Sequence, residues 1–311
     1  MPVGRSRSTF SQTIRPWIEL SRLPKFAGTM VLFWPFAWSL TMLARSEHMP
    51  LYTFVAYLVT GFIGASLLHS AGCIWNDILD RDFDRQVERT KHRPIADGRI
   101  SVQGALVFLA IHLSILTMMV WDLNPLAWKL GIISIFVLPG IYPLMKRVTY
   151  WPQAWLGLAM NCGVPMAAAS VTGEITKQAL ILSVGCWAWT MWYDTIYACQ
   201  DMRDDVKAGV KSTALLFAQY TKPILSIFGV MLLGSLALCG VLIEAGIPYW
   251  TVSVACAAWL LTRELIQVDI MNPASCWQTF HRNGFTFGGV VFAGLMADYV
   301  ASERGSLLSA Y

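Results

Sequence analysis

Residues 76–84 read Asn76-Asp77-Ile78-Leu79-Asp80-Arg81-Asp82-Phe83-Asp84, and they follow directly on a stretch, 51–75, without a single Asp, Glu, Lys or Arg. A helix needs roughly twenty apolar residues to cross the hydrocarbon core of a bilayer, so this junction reads as a membrane helix that ends in carboxylates. A second junction of the same kind closes the apolar run near 178–200: Asp194-Thr195-Ile196-Tyr197-Ala198-Cys199-Gln200-Asp201-Met202-Arg203-Asp204-Asp205. Eight of the nineteen acidic residues stand in these two places, and the function is to be sought there.

Working outward, apolar segments of about spanning length fall near 26–44, 51–75, 102–121, 126–145, 153–171, 178–200, 223–243, 247–262 and 284–301. They predict an all-α, polytopic membrane protein with nine transmembrane helices. A basic segment, 1–25, precedes a single transmembrane domain, 26–301, and a short tail, 302–311, follows it. Composition agrees: 56% of the 311 residues are hydrophobic and 14% charged, where soluble domains carry about a quarter. With the N-terminus inside, nineteen of the twenty-three Lys and Arg fall on the inner side, leaving Arg45, Lys129, Lys177 and Arg304 outside. This asymmetry accounts for the net charge of +4, so no nucleic-acid partner is expected. It also puts both aspartate clusters and Lys146-Arg147 on one face, the cytosolic or equivalent side.

Seven cysteines are scattered singly, mostly in apolar runs, with no CxxC pattern, and read as small packing residues. The five histidines, 48, 69, 92, 112 and 281, form no cluster, and none is assigned to a metal. Residues 1–25 lack the apolar region and cleavage site of a secretory signal, and a mitochondrial presequence is the alternative reading of their basic character.

On a helix, Asn76, Asp80 and Asp84 stand at i, i+4 and i+8 and share one face; Asp201 and Asp205 repeat the i, i+4 spacing. Carboxylates beside a membrane are costly unless they bind something. Oxygen donors without His or Cys suit Mg²⁺, which keeps part of its shell for water or phosphate. Arg81, Arg85, Arg89, Lys91 and Arg93 lie among or just after the first cluster, Lys146-Arg147 ends the fourth span, and Lys207 and Lys211 follow the second cluster. Metal-binding carboxylates with cations nearby make a site for a polyphosphate. Arg81, Arg89, Arg93 and Lys146 are the candidate phosphate contacts, the other basic residues serving as topology anchors. A pyrophosphate held this way is a good leaving group, and an isoprenoid diphosphate fits a lipid-facing bundle, head on the metals and tail between helices. Phe33, Trp34, Phe36 and Trp38, or Trp187, Trp189 and Trp192, are either channel-lining rings that shield an allylic cation or ordinary packing.

These residues carry a resemblance. Asn76-x₃-Asp80-x₃-Asp84 followed by Arg89-Thr90-Lys91-His92-Arg93-Pro94, and Tyr193-Asp194-x₂-Tyr197-x₃-Asp201-x₃-Asp205, resemble the two signature regions of the UbiA superfamily of intramembrane aromatic prenyltransferases. Tyr142-Pro143-Leu144-Met145-Lys146-Arg147 is similar to the 4-hydroxybenzoate polyprenyltransferase branch. The resemblance runs from about Arg22 to Gly289 and implies nine helices around a central cavity that opens to lipid. It implies Mg²⁺ held by Asn76, Asp80, Asp84, Asp201 and Asp205, with Asp77 orienting a ligand or standing behind the metal ligands. Lys146, Arg81 and Arg93 would contact the diphosphate or an acceptor carboxylate. Tyr142 and Tyr197 would stand near the reacting centre, and Asp194 would position the acceptor or take its proton.

Where the family often has Lys-Pro-Ile-Gly this chain has Lys25-Phe26-Ala27-Gly28, and Cys162-Gly163-Val164-Pro165-Met166 follows Asn161. In these departures and its short N-terminus the chain is more similar to fungal meroterpenoid members. The expected reaction is therefore Mg²⁺-dependent transfer of farnesyl, or a similar chain, to a ring carbon of a phenolic acid, pyrone or related polyketide. The alternative is a 4-hydroxybenzoate polyprenyltransferase of ubiquinone biosynthesis. A transporter for a phosphorylated or cationic solute is the reading from another class, which predicts polar residues at mid-depth in several helices. The expected location is the endoplasmic reticulum with the site toward the cytosol, or alternatively the mitochondrial inner membrane.

Overall fold

The computed structural model describes residues 6–309; Arg5, and the side chains of Arg7 and Arg304 that entered the charge asymmetry, lie outside the described part. The chain is helical, with no strand among the described residues. An opening helix, α1 (Ser6–Leu20), precedes α2 (Ala27–Ser46), α3 (Leu51–Leu79), α4 (Val102–Val120), α5 (Pro125–Val148) and α6 (Pro152–Thr172). Then come α7 (Lys177–Ala198), α8 (Thr221–Leu242), α9 (Tyr249–Cys256 continuing as Ala257–Gln267) and α10 (Pro273–Arg282 continuing through Asn283–Phe287 into Gly288–Ser309). The last helix thus continues through residues 302–309 of the stretch expected as a tail.

Seven helices among the described residues are long and apolar enough to cross a membrane, where the sequence predicted nine spans. The other two expected segments are helical but fall short of that measure, α7 and α9, and the reason is in their side chains. α7 carries Lys177, Thr190, Asp194 and Thr195 and is buried along most of its second half; α9 carries Arg263, Glu264 and Gln267. A helix packed in the centre of a bundle need not match lipid on every face.

α2 and α7 hold the centre. α2 packs against α3, α6 and α10, and α7 against α6, α8 and the start of α10. Side-chain donors tie α2 to α10: the Trp34 indole donates to the Gly284 carbonyl at 2.6 Å and Trp38 to Gly288 at 3.1 Å. Gly288 is required there, since a Cβ would meet the Trp34 ring at 2.0 Å. Trp38, Trp189 and Phe287 stack into the same core, with the Trp38 and Trp189 rings 5.0 Å apart. Outward, Val59, Phe62, Ile63, Val107, Ile111, Met118, Ile227 and Val230 are exposed, as a surface solvated by lipid requires. At the end remote from the aspartates, Arg45 on α2 pairs with buried Asp298 on α10 at 2.6 Å and donates to the carbonyls of Ile243 and Glu244.

Candidate active site

The first cluster is not one straight stripe. α3 stops at Leu79, Asp80 leaves helical geometry with φ −94° and ψ 5°, and a separate short turn, Arg81–Asp84, carries Asp84. Asp77, buried to 1% exposure, accepts both oxygens' bonds from Arg22 Nη2 at 2.7 and 2.8 Å and a third from Arg93 at 3.0 Å. Arg93 also reaches Asp84 at 2.9 and 3.1 Å. Burial raises the Asp84 carboxyl above its usual range, against the pull of Arg93. Arg22 has φ 61°, a left-handed backbone that costs a non-glycine residue about 1 kcal/mol or more, and its pair with Asp77 holds it there. Asp80 faces Arg147 more loosely, at 3.5 Å. Arg81, a candidate phosphate contact, is instead turned onto its neighbour Asp82 at 3.1 Å and is not among the residues lining the cavity described below.

The second cluster breaks similarly, α7 giving way to a tight turn, Cys199–Asp201, and a short helix, Met202–Ala208. Arg89, from the loop after the first cluster, forks onto Asp201 at 2.6 and 2.8 Å and reaches the Tyr197 hydroxyl at 3.4 Å, so the two clusters are joined across 112 residues of sequence. Burial opposes the Arg89 charge, but Tyr197 and Asp201 more than offset it and raise its pKa. Asp205 has no ion-pair partner among the described residues, and burial with the like charge of Asp201 pushes its carboxyl up to about 7. Gln153 stands beside Asp194, its Oε1 occupied by the Thr213 N–H at 3.0 Å. Lys146 lies over the Tyr142 ring at 5.1 Å and within electrostatic reach of Asp80 and Asp194.

Between these groups lies a cavity of about 460 Å³. Arg22, Lys25, Arg89, Arg93 and Lys146 give it five cations; Asn76, Asp77, Tyr142, Asp194 and Tyr197 also line it. One wall is aromatic: Tyr197 and Phe280 are 4.7 Å apart, Trp277 stacks on Phe280 at 5.8 Å, and Tyr193 meets Phe280 edge-on at 5.8 Å. Of the rings singled out in the sequence, Trp34, Trp38, Trp189 and Trp192 are instead buried in the core. They are packing residues, and Trp277 and Phe280 take the wall.

Asn76, Asp80, Asp84, Asp201 and Asp205 are all oxygen donors, as Mg²⁺ prefers. Asn76 Oδ1 is buried without a hydrogen-bond partner, an uncompensated acceptor that a cation would satisfy. Among the described residues no three carboxylates or other ligating groups gather closely enough to hold a metal unaided, because Asp84 and Asp201 are turned to arginines. The donor set fits a hard ion, and the arginines that pair with Asp84 and Asp201 could pair as well with a phosphate.

In the sequence Arg22 and Lys25 read as topology anchors, and nothing there marks His69, Gln153, Trp277 or Phe280. Lys25 stands over Trp277 at 5.7 Å with no carboxylate partner among the described residues, and burial together with Arg89, Arg22 and Arg93 lowers its pKa. A pocket with surplus cations, exchangeable carboxylates and an aromatic wall is built to take a phosphorylated head and an apolar or aromatic body.

Comparison with known proteins agrees with that chemistry. Residues 32–289 match the model of the UbiA prenyltransferase family. The chain is 60% identical to the UbiA prenyltransferase claS of Ampulloclitocybe clavipes over 294 residues, 94% of each chain. It is 39% identical to 4-hydroxybenzoate geranyltransferase 1 of Lithospermum erythrorhizon, covering 91% of this chain and 90% of that one. Its fold is similar to that of a UbiA homologue from Archaeoglobus fulgidus bound to GPP and Mg²⁺, with a TM-score of 0.65 at 16% identity over 93% and 99% of the two chains.

Proposed function

The chain belongs to the UbiA prenyltransferase family and is an integral-membrane aromatic prenyltransferase, and from that premise we propose its substrates. The donor is an isoprenoid diphosphate of geranyl to farnesyl length, and the acceptor a small phenol of the phenolic-acid or polyketide-derived kind, prenylated on a ring carbon in meroterpenoid biosynthesis. The observation that carries this reading is the single cavity in which five cations face an aromatic wall between two acid clusters joined by Arg89. Higher identity to the fungal prenyltransferase than to the 4-hydroxybenzoate geranyltransferase supports the specialised pathway. We also propose the endoplasmic reticulum as location, with both clusters toward the cytosol, on the charge asymmetry of the loops.

Asn76, Asp80, Asp84, Asp201 and Asp205 would hold Mg²⁺, which when bound neutralises the growing charge of departing pyrophosphate. Arg89, Arg93 and Lys146 orient the diphosphate and share that charge, the amine of Lys146 being placed by the Tyr142 ring. Tyr193, Tyr197, Trp277 and Phe280 line the side on which an allylic cation would form; their faces stabilise it and keep water away. Asp194, beside Gln153, accepts the proton that the ring carbon loses as aromaticity returns. A nucleophilic side chain is unnecessary, since positioning and charge stabilisation supply the rate.

Lys25, a cavity cation without a carboxylate partner among the described residues, favours an acceptor that is itself an acid, which 4-hydroxybenzoate also satisfies. The test is purified protein with Mg²⁺, geranyl or farnesyl diphosphate and a panel of 4-hydroxybenzoate, orsellinic acids, a hydroxypyrone and hydroquinone, products being followed by mass spectrometry. Transfer to an orsellinic acid or pyrone is the expected result, and transfer to 4-hydroxybenzoate alone would move the chain to quinone synthesis. Asp80→Ala and Asp201→Ala are expected to lower turnover by at least about a hundredfold while extraction and thermal unfolding stay near wild type. Undiminished turnover in both would overturn the metal assignment.

A further inference from the structure

His69 lines the cavity from α3, on the face shared with Gly72, Cys73 and Asn76, at offsets of three, four and seven residues. Seven residues of helix place it about 10 Å from Asn76 along the axis, and both residues line the same cavity. Its Nδ1 lies 3.1 Å from the hydroxyl of Thr29, a buried residue on α2, and this contact fixes the ring's orientation. Among the described residues the only hydrogen-bonding partner of its Nε2 is the Cys73 thiol, at 3.7 Å, a weak one. Gly28 is what allows the ring to lie there, because a Cβ at that position would come within 2.2 Å of Nε2. The other histidines are differently engaged: His112 is held by Ser70 and the Phe108 carbonyl, His48 by Glu303, and His281 lies against Phe285, while His92 stands at the charged mouth.

On the prenyltransferase reading above, we propose that His69 is a catalytic residue that hydrogen-bonds the acceptor's phenolic hydroxyl and takes its proton as the ring attacks. The electron pair released on oxygen moves into the ring, the ortho carbon bonds to the allylic carbon that lost pyrophosphate, and a cyclohexadienone results. The proton on that ring carbon then leaves to Asp194 while the oxygen recovers its proton from His69. One proton and one pyrophosphate are released per transfer, and His69 ends as it began. Thr29 is a positioning residue for the imidazole.

The experiment compares wild type, His69→Gln and Thr29→Val with a prenyl diphosphate, Mg²⁺ and two acceptors, a phenol that the wild type prenylates and its fluorinated analogue with a more acidic hydroxyl. His69→Gln is expected to lower kcat by about a hundredfold with the plain phenol, leaving KM for the diphosphate within about twofold. Its rate relative to wild type should recover by about tenfold with the fluorinated acceptor, which needs less help to lose its proton; Thr29→Val should move the same way to a smaller extent. Thermal protection by the diphosphate checks that both variants fold. A variant-to-wild-type ratio indifferent to acceptor acidity would overturn the role of His69 alone. Failure of the wild type to prenylate any phenol would overturn the reading on which the role rests.

Discussion

At the scale of single residues, the site is governed by where polar partners are already committed. Gln153 has its carbonyl oxygen held by the Thr213 N–H, which leaves its amide nitrogen on the side of Asp194 as an available donor. Gln153→Leu is expected to orphan that N–H, costing about 1–3 kcal/mol, and to remove the polar neighbour of Asp194, lowering kcat roughly tenfold or more with KM for the diphosphate little changed. Thermal unfolding and steady-state kinetics together check it; an unchanged kcat would detach Asp194 from the chemistry. The aspartates and Lys146 stand out in the sequence because residue type and spacing carry the chemistry proposed for them. Arg22 does not: its partner Asp77 lies 55 positions away, and an arginine before a first membrane helix is indistinguishable from a topology anchor. His69 likewise becomes meaningful only when α2 brings Gly28 and Thr29 against it.

At the scale of elements, the sequence located all the apolar stretches, yet overstated how many would look like lipid-facing spans. α7 turns Tyr193, Asp194 and Tyr197 to the cavity, so the polar content that marks it as functional also lowers its resemblance to an ordinary span. The straight acid stripes were likewise idealised, since both helices end within a turn of their first aspartate. At the opposite end of the bundle, Arg45 and Asp298 join α2, α10 and the turn at 243–246, the Gly246 N–H donating to Asp298 at 2.7 Å. Both side chains are largely buried, so Arg45→Met strands a carboxylate and is expected to destabilise by about 3–5 kcal/mol. A fall in the detergent Tm with unchanged KM values is the expected signature. An unchanged Tm would mean that water reaches the pair.

At the scale of the whole molecule, α1 is fastened over the end that carries the aspartate clusters by Glu19, which accepts from Arg99 at 2.6 Å and, within α1, from Arg15 at 2.9 Å. The hydrogen bond from Arg99, against the opposing effect of burial, holds the Glu19 carboxyl below its usual 4.5. A depressed carboxylate stabilises above its unfolded pKa and loses that contribution as pH falls through the lowered value. Docking of α1 is therefore expected to hold at pH 7 and loosen below about pH 4.5, and Glu19→Gln should loosen it at neutral pH. Hydrogen exchange corrected for intrinsic rate reads this directly, and equal protection of α1 at both pH values would refute it.

The cavity's two unlike sides, cations at the mouth and rings along the wall, have a consequence for traffic between phases. On the substrates proposed above, a bare phenol comes and goes through water, but a geranyl or farnesyl chain adds about 0.8 kcal/mol per carbon in favour of oil, roughly 8–12 kcal/mol in all. The two products of one turnover must therefore part company, pyrophosphate to the aqueous side and the alkylated ring to the bilayer. Whatever enzyme acts next on that ring has to meet it in the membrane plane, where the search is two-dimensional.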